Sequence, residues 1–512
     1  MSNPENQEAI LGEFRRIWGY DQFRSPQGEI IQTLLTGQDA LIVMPTGGGK
    51  SICFQLPALM QRGLTLVVSP LVALMENQVA ELQQKRLPAA LVHSQQSKGD
   101  RQRTLTALEH QRLRLLYLSP ETLLSPALWD RLQNPALEIR GLILDEAHCL
   151  TQWGDSFRPA YGRLGAVRPA LLQHRPGAHF PIAAFTATAD PPTQATLCQV
   201  LGLRQPQRFL LNPYRPNLDL RVQCTWSVGH RRHCLQRYCQ QHRGQSGLVY
   251  VRSRRDAETL AQGLRAQGHA TAAYHGGLMA GQRRQIEGDW MADRLGFVVA
   301  TNAFGMGVNK PTVRWVVHYQ VPVLLAEYVQ EVGRSGRDGQ RAQALALVSE
   351  PTGWWDPSDR QRWQFFQQQH RTQWQTALGL VDRLPPEGAV AAVGDRFPQG
   401  ELALGILHSL GRLAWVDPFH YRLLPGAETG RTQRGARKGS IGKSLGKGSL
   451  GKGSLGTVNT GAIASAQSQP MIRYLHDRGC RWGTILTAFG FAPATPHYRC
   501  GHCDQCRTPW RF

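Results

Sequence analysis

Short apolar runs separated by amphipathic stretches recur through the first two thirds of the chain. Ala40-Leu41-Ile42-Val43, Leu64–Ser69, Leu115–Ser119, Gly141–Leu144 and Ile182–Phe185 are continuous enough for strands buried on both faces. Helical patterns, Leu71–Gln84 and Gly99–Gln111, lie between them. Strands alternating with helices predict a parallel α/β sheet with ligand sites at the strand C-terminal ends. The pattern resumes at Gly247–Val251 and Val298–Ala300, beyond a proline-interrupted stretch, Pro213–Leu218, that reads as an inter-lobe linker. The predicted units are an α/β lobe over 1–210, a second over 211–350 and a helical segment over 351–425. Within the last, a helix (Leu402–Leu413) followed by strand, turn and strand (Ala414–Leu424) suggests a winged-helix-like module. Trp354-Trp355, Trp363, Phe365-Phe366 and Trp374 read as helix packing by their spacing, with a DNA wedge as the competitor.

Several strand ends carry chemistry. The first strand runs into Met44-Pro45-Thr46-Gly47-Gly48-Gly49-Lys50-Ser51, and Ile52–Pro57 can then open a helix. This arrangement cradles nucleotide phosphates: backbone N–H groups of the glycine turn close around the oxygens, Lys50 reaches the β/γ-phosphates, and Ser51 holds Mg²⁺. The usual pattern has Gly where this chain has Met44. The strand Leu142–Leu144 ends in Asp145-Glu146-Ala147-His148. Asp145 can bind Mg²⁺, and Glu146 can orient and deprotonate the attacking water. In the second lobe, the run from Gln330 to Asp338 contains Arg334 and Arg337, three apart on one helical face. Both can point at one γ-phosphate across a cleft.

Two aromatic stretches flank these elements. The stretch from Phe14 to Gln27 is either core or an adenine clamp. In the clamp, Tyr20 or Arg24 stacks on the base and the Gln27 amide pairs with its N6/N7 edge. After the acidic pair, Gln152, Trp153, Phe157 and Arg158 lie on a Gly/Pro-containing loop. They suit single-strand stacking at about 1–3 kcal/mol per base, with packing on their own domain as the competitor.

Charge and cysteine usage narrow the class. Lys and Arg exceed Asp and Glu by 21, which favours a polyanionic partner, most often nucleic acid. No stretch approaches the about 20 apolar residues of a membrane span, and Met1–Asn6 has no secretory character. The expected location is cytoplasmic, nucleoid-associated if the source is bacterial. Six dispersed cysteines are expected to be reduced. Cys480, Cys500, Cys503 and Cys506 have metal spacing and supply four thiolates, the set Zn²⁺ takes in a closed structural site. His502 could replace one of them, but its backbone lies between two ligands. Residues 426–469 hold a single acid, Glu428, and repeat Gly-Lys-Gly-Ser-Leu, a flexible basic linker that either tracks phosphates or merely tethers the tail at 470–512.

Taken together, Trp18-Gly19-Tyr20, Phe23-Arg24 and Gln27, Met44–Ser51, Val68–Leu74, Leu118–Glu121, Asp145–His148 with its aromatic extension, and Thr186–Ala189 resemble successive motifs of the RecQ family of DNA helicases. Met44 also fits that family. The helix before Cys480, Arg481 and the Cys-Asp-x-Cys ending resemble its zinc module. The resemblance implies two RecA-like parallel-sheet lobes, then a helical or winged-helix-like segment, a flexible basic linker and a small zinc-binding module. It implies ATP, Mg²⁺ and Zn²⁺, and 3′-to-5′ unwinding of duplex DNA in recombination, repair or replication. The implied partners are DNA forks and single-strand/duplex junctions, and single-strand-binding or recombination proteins; no membrane is implied. Thr186-Ala187-Thr188 is expected to link nucleotide and DNA states. In the family the winged-helix module usually follows the zinc module, so the order here is reversed. The chain ends six residues after Cys506, and no further helical domain is expected. An RNA helicase or duplex translocase, and an idle nucleic-acid scaffold, are the alternative classes.

Overall fold

The computed structural model describes residues 4–45, 47–150, 158–304, 310–425, 460–493, 495 and 497–507. In the first lobe the strands are β1 (Ala40–Val43), β2 (Leu64–Val68), β3 (Ala89–Val92), β4 (Leu115–Leu118), β5 (Ile139–Leu144), β6 (Ile182–Thr186) and β7 (Gln207–Leu210). All pair in parallel, in the order β3-β4-β2-β5-β6-β1-β7. The apolar runs need both faces covered, and alternate residues feed two cores. Leu41 and Val43 join one, Ala40 and Ile42 the other. Because β5, β6 and β1 are neighbours, the acidic pair, Thr186 and the phosphate loop share one rim.

The second lobe repeats the design. Its strands are β8 (Leu218–Thr225), β9 (Gly247–Tyr250), β10 (Thr271–Tyr274), β11 (Phe297–Ala300), β12 (Trp315–His318) and β13 (Ala342–Ser349), parallel in the order β10-β11-β9-β12-β13-β8. The helix Leu325–Val332 ends at Gly333, so Arg334 and Arg337 lie just beyond its last turn rather than on it. The stretch Pro213–Leu218 does more than connect. Arg215 donates to Gly333 O at 3.1 Å and to Gly336 O, and Asn217 Nδ2 donates to Gly336 O at 2.8 Å.

The helix Ser358–Val381 continues from lobe 2, tied by the buried Arg231 to Asp356 and Asp359, each at 2.9 Å. β14 (Glu387–Ala389), helices Val390–Arg396 and Gly400–Ser409, and the hairpin β15 (Leu413–Trp415) and β16 (His420–Leu423) follow. The antiparallel order β14-β16-β15 completes a winged-helix arrangement around its own apolar core. This module docks on lobe 1: Arg163 Nη2 lies 3.2 Å from Glu401 Oε2, and Phe419 meets Trp129 edge-on at 5.3 Å.

Two expectations change. The linker does not extend to 469, because residues from Thr460 already belong to a helix, Thr460–His476. Glycine stops at 461 and alanine recurs at 462, 464 and 466, which favours helix. That helix packs against Ser358–Val381, so the winged-helix segment interrupts a helical pair. The aromatic packing reading is right for buried Trp374 and for Trp363, which packs on the lobe 2 core, but not for Trp354, Trp355 and Phe365, whose side chains are exposed.

Candidate functional site

Gly49, in the left-handed region at φ +78°, starts the helix Lys50–Met60. A Cβ on Gly48 would lie 2.8 Å from Met44 Cγ. Met44 is buried beneath the loop, and Gly48 admits it. Gln27 is buried as well. Its Nε2 donates to Gly48 O at 3.1 Å and Gly49 O at 3.4 Å, while its Oε1 accepts from Arg24 N–H at 3.0 Å. The carboxamide expected on the adenine edge thus braces the phosphate loop. Arg24 Nη1 donates to Gly47 O at 3.4 Å, and exposed Tyr20 sits 5.7 Å from Phe14, ring to ring.

Lys50 Nζ reaches the acidic pair, 3.7 Å from Glu146 Oε1. Ser51 follows it in the helix's first turn. Asp145 is anchored at the end of β5 by its N–H to Val68 O at 2.8 Å, and its Oδ1 accepts Glu146 N–H at 3.0 Å. Glu146 holds φ +49°, a region that non-glycine residues occupy at a cost when the surroundings impose it. The pair is electrostatically split. Burial, then the Glu146 charge, pushes Asp145 up to about 7. Burial also pushes Glu146 upward, but Lys50, His148 and Arg334 outweigh it and hold its carboxyl below the usual value.

His148 was not singled out from sequence, and the structure gives it a post. Its Nδ1 lies 3.3 Å from Glu146 Oε2 and 3.0 Å from Thr186 Oγ1, and Thr186 Oγ1 accepts Thr188 N–H at 3.3 Å. Burial lowers the His148 pKa. The acidic pair is therefore wired to Thr186–Thr188. The 38-residue gap between His148 and Thr186 hides this contact from any local pattern.

Arg334 of lobe 2 is buried and adds its charge to Glu146 of lobe 1. Arg337 also feels Glu146, although burial, then Arg334 and Arg215, pushes its pKa down to about 10. Gln330 is buried and lines a small cavity between the lobes with Pro45, Thr188 and Gly333. Lys50, Asp145, Glu146, Arg334 and Arg337 thus share one electrostatic site. Arg158, expected on nucleic acid, pairs with Glu121 at 3.3 Å. Thr46, Gln152, Trp153 and Phe157 lie outside the described residues.

The four C-terminal cysteines converge, with all sulfurs within 4.8 Å of one another. A tetrahedral Zn²⁺ with bonds near 2.3 Å sets sulfurs about 3.8 Å apart, so the residues fit the metal. His502 turns away, its Nε2 3.1 Å from Tyr214 Oη and its Nδ1 3.3 Å from Asp219 Oδ1. Arg481, buried, clasps Asp504 at 3.0 Å, and Trp482 Nε1 donates to Leu218 O at 3.1 Å. The four-cysteine module is thereby seated on β8.

Two parallel-sheet lobes with a phosphate loop in one and arginines from the other define a helicase motor. The DEAD/DEAH box helicase family model matches residues 24–196, and that of the helicase conserved C-terminal domain matches 230–339. S. cerevisiae Dbp5 bound to RNA and ADP BeF3 has the same fold, with a TM-score of 0.53 and 18% identity over 69% of this chain and 90% of that one. Within this class, the ATP-dependent DNA helicase RecQ of Synechocystis sp. is 48% identical over 501 residues, 98% of either chain. The RecQ of Haemophilus influenzae is 39% identical over 343 residues, 67% of this chain and 54% of its own length. The chain belongs to the RecQ family of ATP-dependent DNA helicases.

Proposed function

We propose that ATP bound between the lobes is hydrolysed there and that the cycle drives 3′-to-5′ movement along a single DNA strand, unwinding the duplex ahead. The observation that carries this reading is the joint action of Lys50 and Arg334 on Glu146, one from each lobe. Lys50 and the N–H groups of 47–49 bind the phosphates. Glu146, kept ionised, accepts the proton of the attacking water, while Arg334 and Arg337 meet the charge that develops on the γ-phosphoryl oxygens. Ser51 and Asp145 would hold Mg²⁺, which neutralises phosphate charge when bound. Tyr20, Arg24, Gln27 and Gln330 serve the nucleotide, with Gln27 coupling the base side to the loop. His148 and Thr186 report the state of Glu146 to the rest of the rim. Gln152, Trp153, Phe157 and Arg158 contact the strand.

Cys480, Cys500, Cys503 and Cys506 would hold Zn²⁺ as a structural ion. We place the protein in the cytoplasm, on the nucleoid if its source is bacterial; no described helix is long and apolar enough to cross a membrane. Forks and junctions are its substrates, and single-strand-binding or recombination proteins its partners. Lys50→Ala should abolish hydrolysis while largely sparing binding of single-stranded DNA. Normal DNA-stimulated turnover in that variant would refute the site.

A further inference from the structure

We propose that lobe 2 carries an additional stacking surface for single-stranded DNA, built on Trp226, Trp354 and Trp355 with Arg360 beside them. The proposal rests on the helicase reading and adds a site to it. The three indoles are 59%, 87% and 76% exposed, yet the backbone beneath them is tightly held. The buried Glu350 carboxylate accepts Thr352 N–H at 2.7 Å and Trp355 N–H at 3.0 Å, and Thr352 Oγ1 accepts Trp354 N–H at 3.4 Å. Asp356 binds Ser358 N–H at 3.1 Å and Arg231 at 2.9 Å; Asp359 accepts Ser349 N–H at 2.6 Å. A loop pinned at both ends that turns two tryptophans to water is prepaid in conformational entropy for a partner.

Its place in the sheet indicates which partner. Thr225 and Ser349 are register partners on β8 and β13, and Glu350 N–H donates to Thr225 O at 3.1 Å. Trp226 and the Trp354-Trp355 loop therefore leave the same rim, at the C-terminal ends of adjacent parallel strands, where open α/β sheets bind ligands. On this rim a cleft of about 620 Å³ is lined by Arg252, Ser253, Asn302, Gln320 and Phe365. Phe365 stands 70% exposed. The cleft opens by β9 and the tryptophans stand by β8, three strands on, a span of about 14 Å. One extended strand can cover both.

Charge favours a polyanion. The nearby acids Glu350, Asp356 and Asp359 are turned inward and engaged, and the two that line the cleft are engaged as well, Glu327 with Arg252 at 2.8 Å and Asp256 by Ser253 Oγ at 2.6 Å and Gln320 Nε2 at 3.0 Å. Arg360 lies against Gly353, its Cδ 3.5 Å from where a Cβ would sit, and Arg232, in the helix that follows Trp226, is exposed. Flat apolar rings with guanidinium groups alongside suit bases and phosphates.

The test is fluorescence anisotropy of labelled oligo(dT) with the full-length chain, comparing wild type, Trp354→Ala/Trp355→Ala, that pair with Trp226→Ala, and Trp354→Phe/Trp355→Phe. Alanine variants should weaken binding about tenfold per lost stack, with melting temperature and DNA-free ATPase unchanged. The phenylalanine pair should stay within a few-fold of wild type. Arg360→Gln, which leaves the indoles in place, should lower the salt slope by about 1. Wild-type affinity in the alanine variants and in Arg360→Gln would overturn the proposal. Loss of self-association in sedimentation at unchanged oligo(dT) affinity would also overturn it and assign the surface to a protein contact. A wild-type protein that ignores oligo(dT) would instead bring down the helicase reading itself.

Discussion

The two lobes share a sheet design and bury opposite charge. Lobe 1 crowds Asp145 and Glu146 on one rim with Lys50 as their close cation, and burial drives Asp145 up to about 7. Lobe 2 crowds Arg215, Arg334 and Arg337, and burial with mutual repulsion drives Arg337 down to about 10. Each arrangement is costly alone, because burying like charges penalises the ionised forms. Facing each other, the halves relieve one another, as Arg334 does for Glu146, and on the proposed reading a nucleotide polyphosphate between them would give the arginines an anion.

Breaking the lobe 1 half should slow the chemistry steeply. Glu146→Gln keeps shape and removes the base; hydrolysis should fall by about 10²–10⁴, measured as DNA-stimulated phosphate release, with nucleotide binding kept. A smaller effect sharpens the claim about Asp145. Its raised value means that the ligand-free fold favours the protonated acid, so its contribution to stability is complete below about 4 and is lost as pH rises through about 7. The melting temperature of nucleotide- and metal-free wild type should therefore fall relative to Asp145→Asn between about pH 5 and pH 8. A difference that stays flat would contradict the splitting. The smallest effect belongs to Arg158, whose pairing with Glu121 is largely solvent-facing. Arg158→Ala should change stability by less than about 1 kcal/mol, and DNA titrations should show a salt slope lower by about 1.

Lobe 1 was also the more legible half. The phosphate loop and Asp145-Glu146 are contiguous runs at strand ends, and their physics is local. What stayed hidden depends on partners far along the chain: Gln27 bracing Gly48 and Gly49, His148 meeting Thr186, and Arg215 holding Gly336. The two C-terminal misreadings have different causes. The helical spacing of the aromatics does not reach Trp354-Trp355, because Asp356-Pro357-Ser358 is itself a helix-start signal and the helix begins at Ser358. The repeat composition of the linker does not continue past Gly461, where the alanines of the helix Thr460–His476 take over.

Arg337→Ala tests the composite site most directly, because it leaves every lobe 1 group untouched. In single-turnover ATP hydrolysis with saturating single-stranded DNA, the rate should fall by about 10³ or more, while binding of a fluorescent nucleotide stays within a few-fold of wild type. Hydrolysis near the wild-type rate would mean that lobe 1 acts alone and that the charge opposition between the lobes is not part of catalysis.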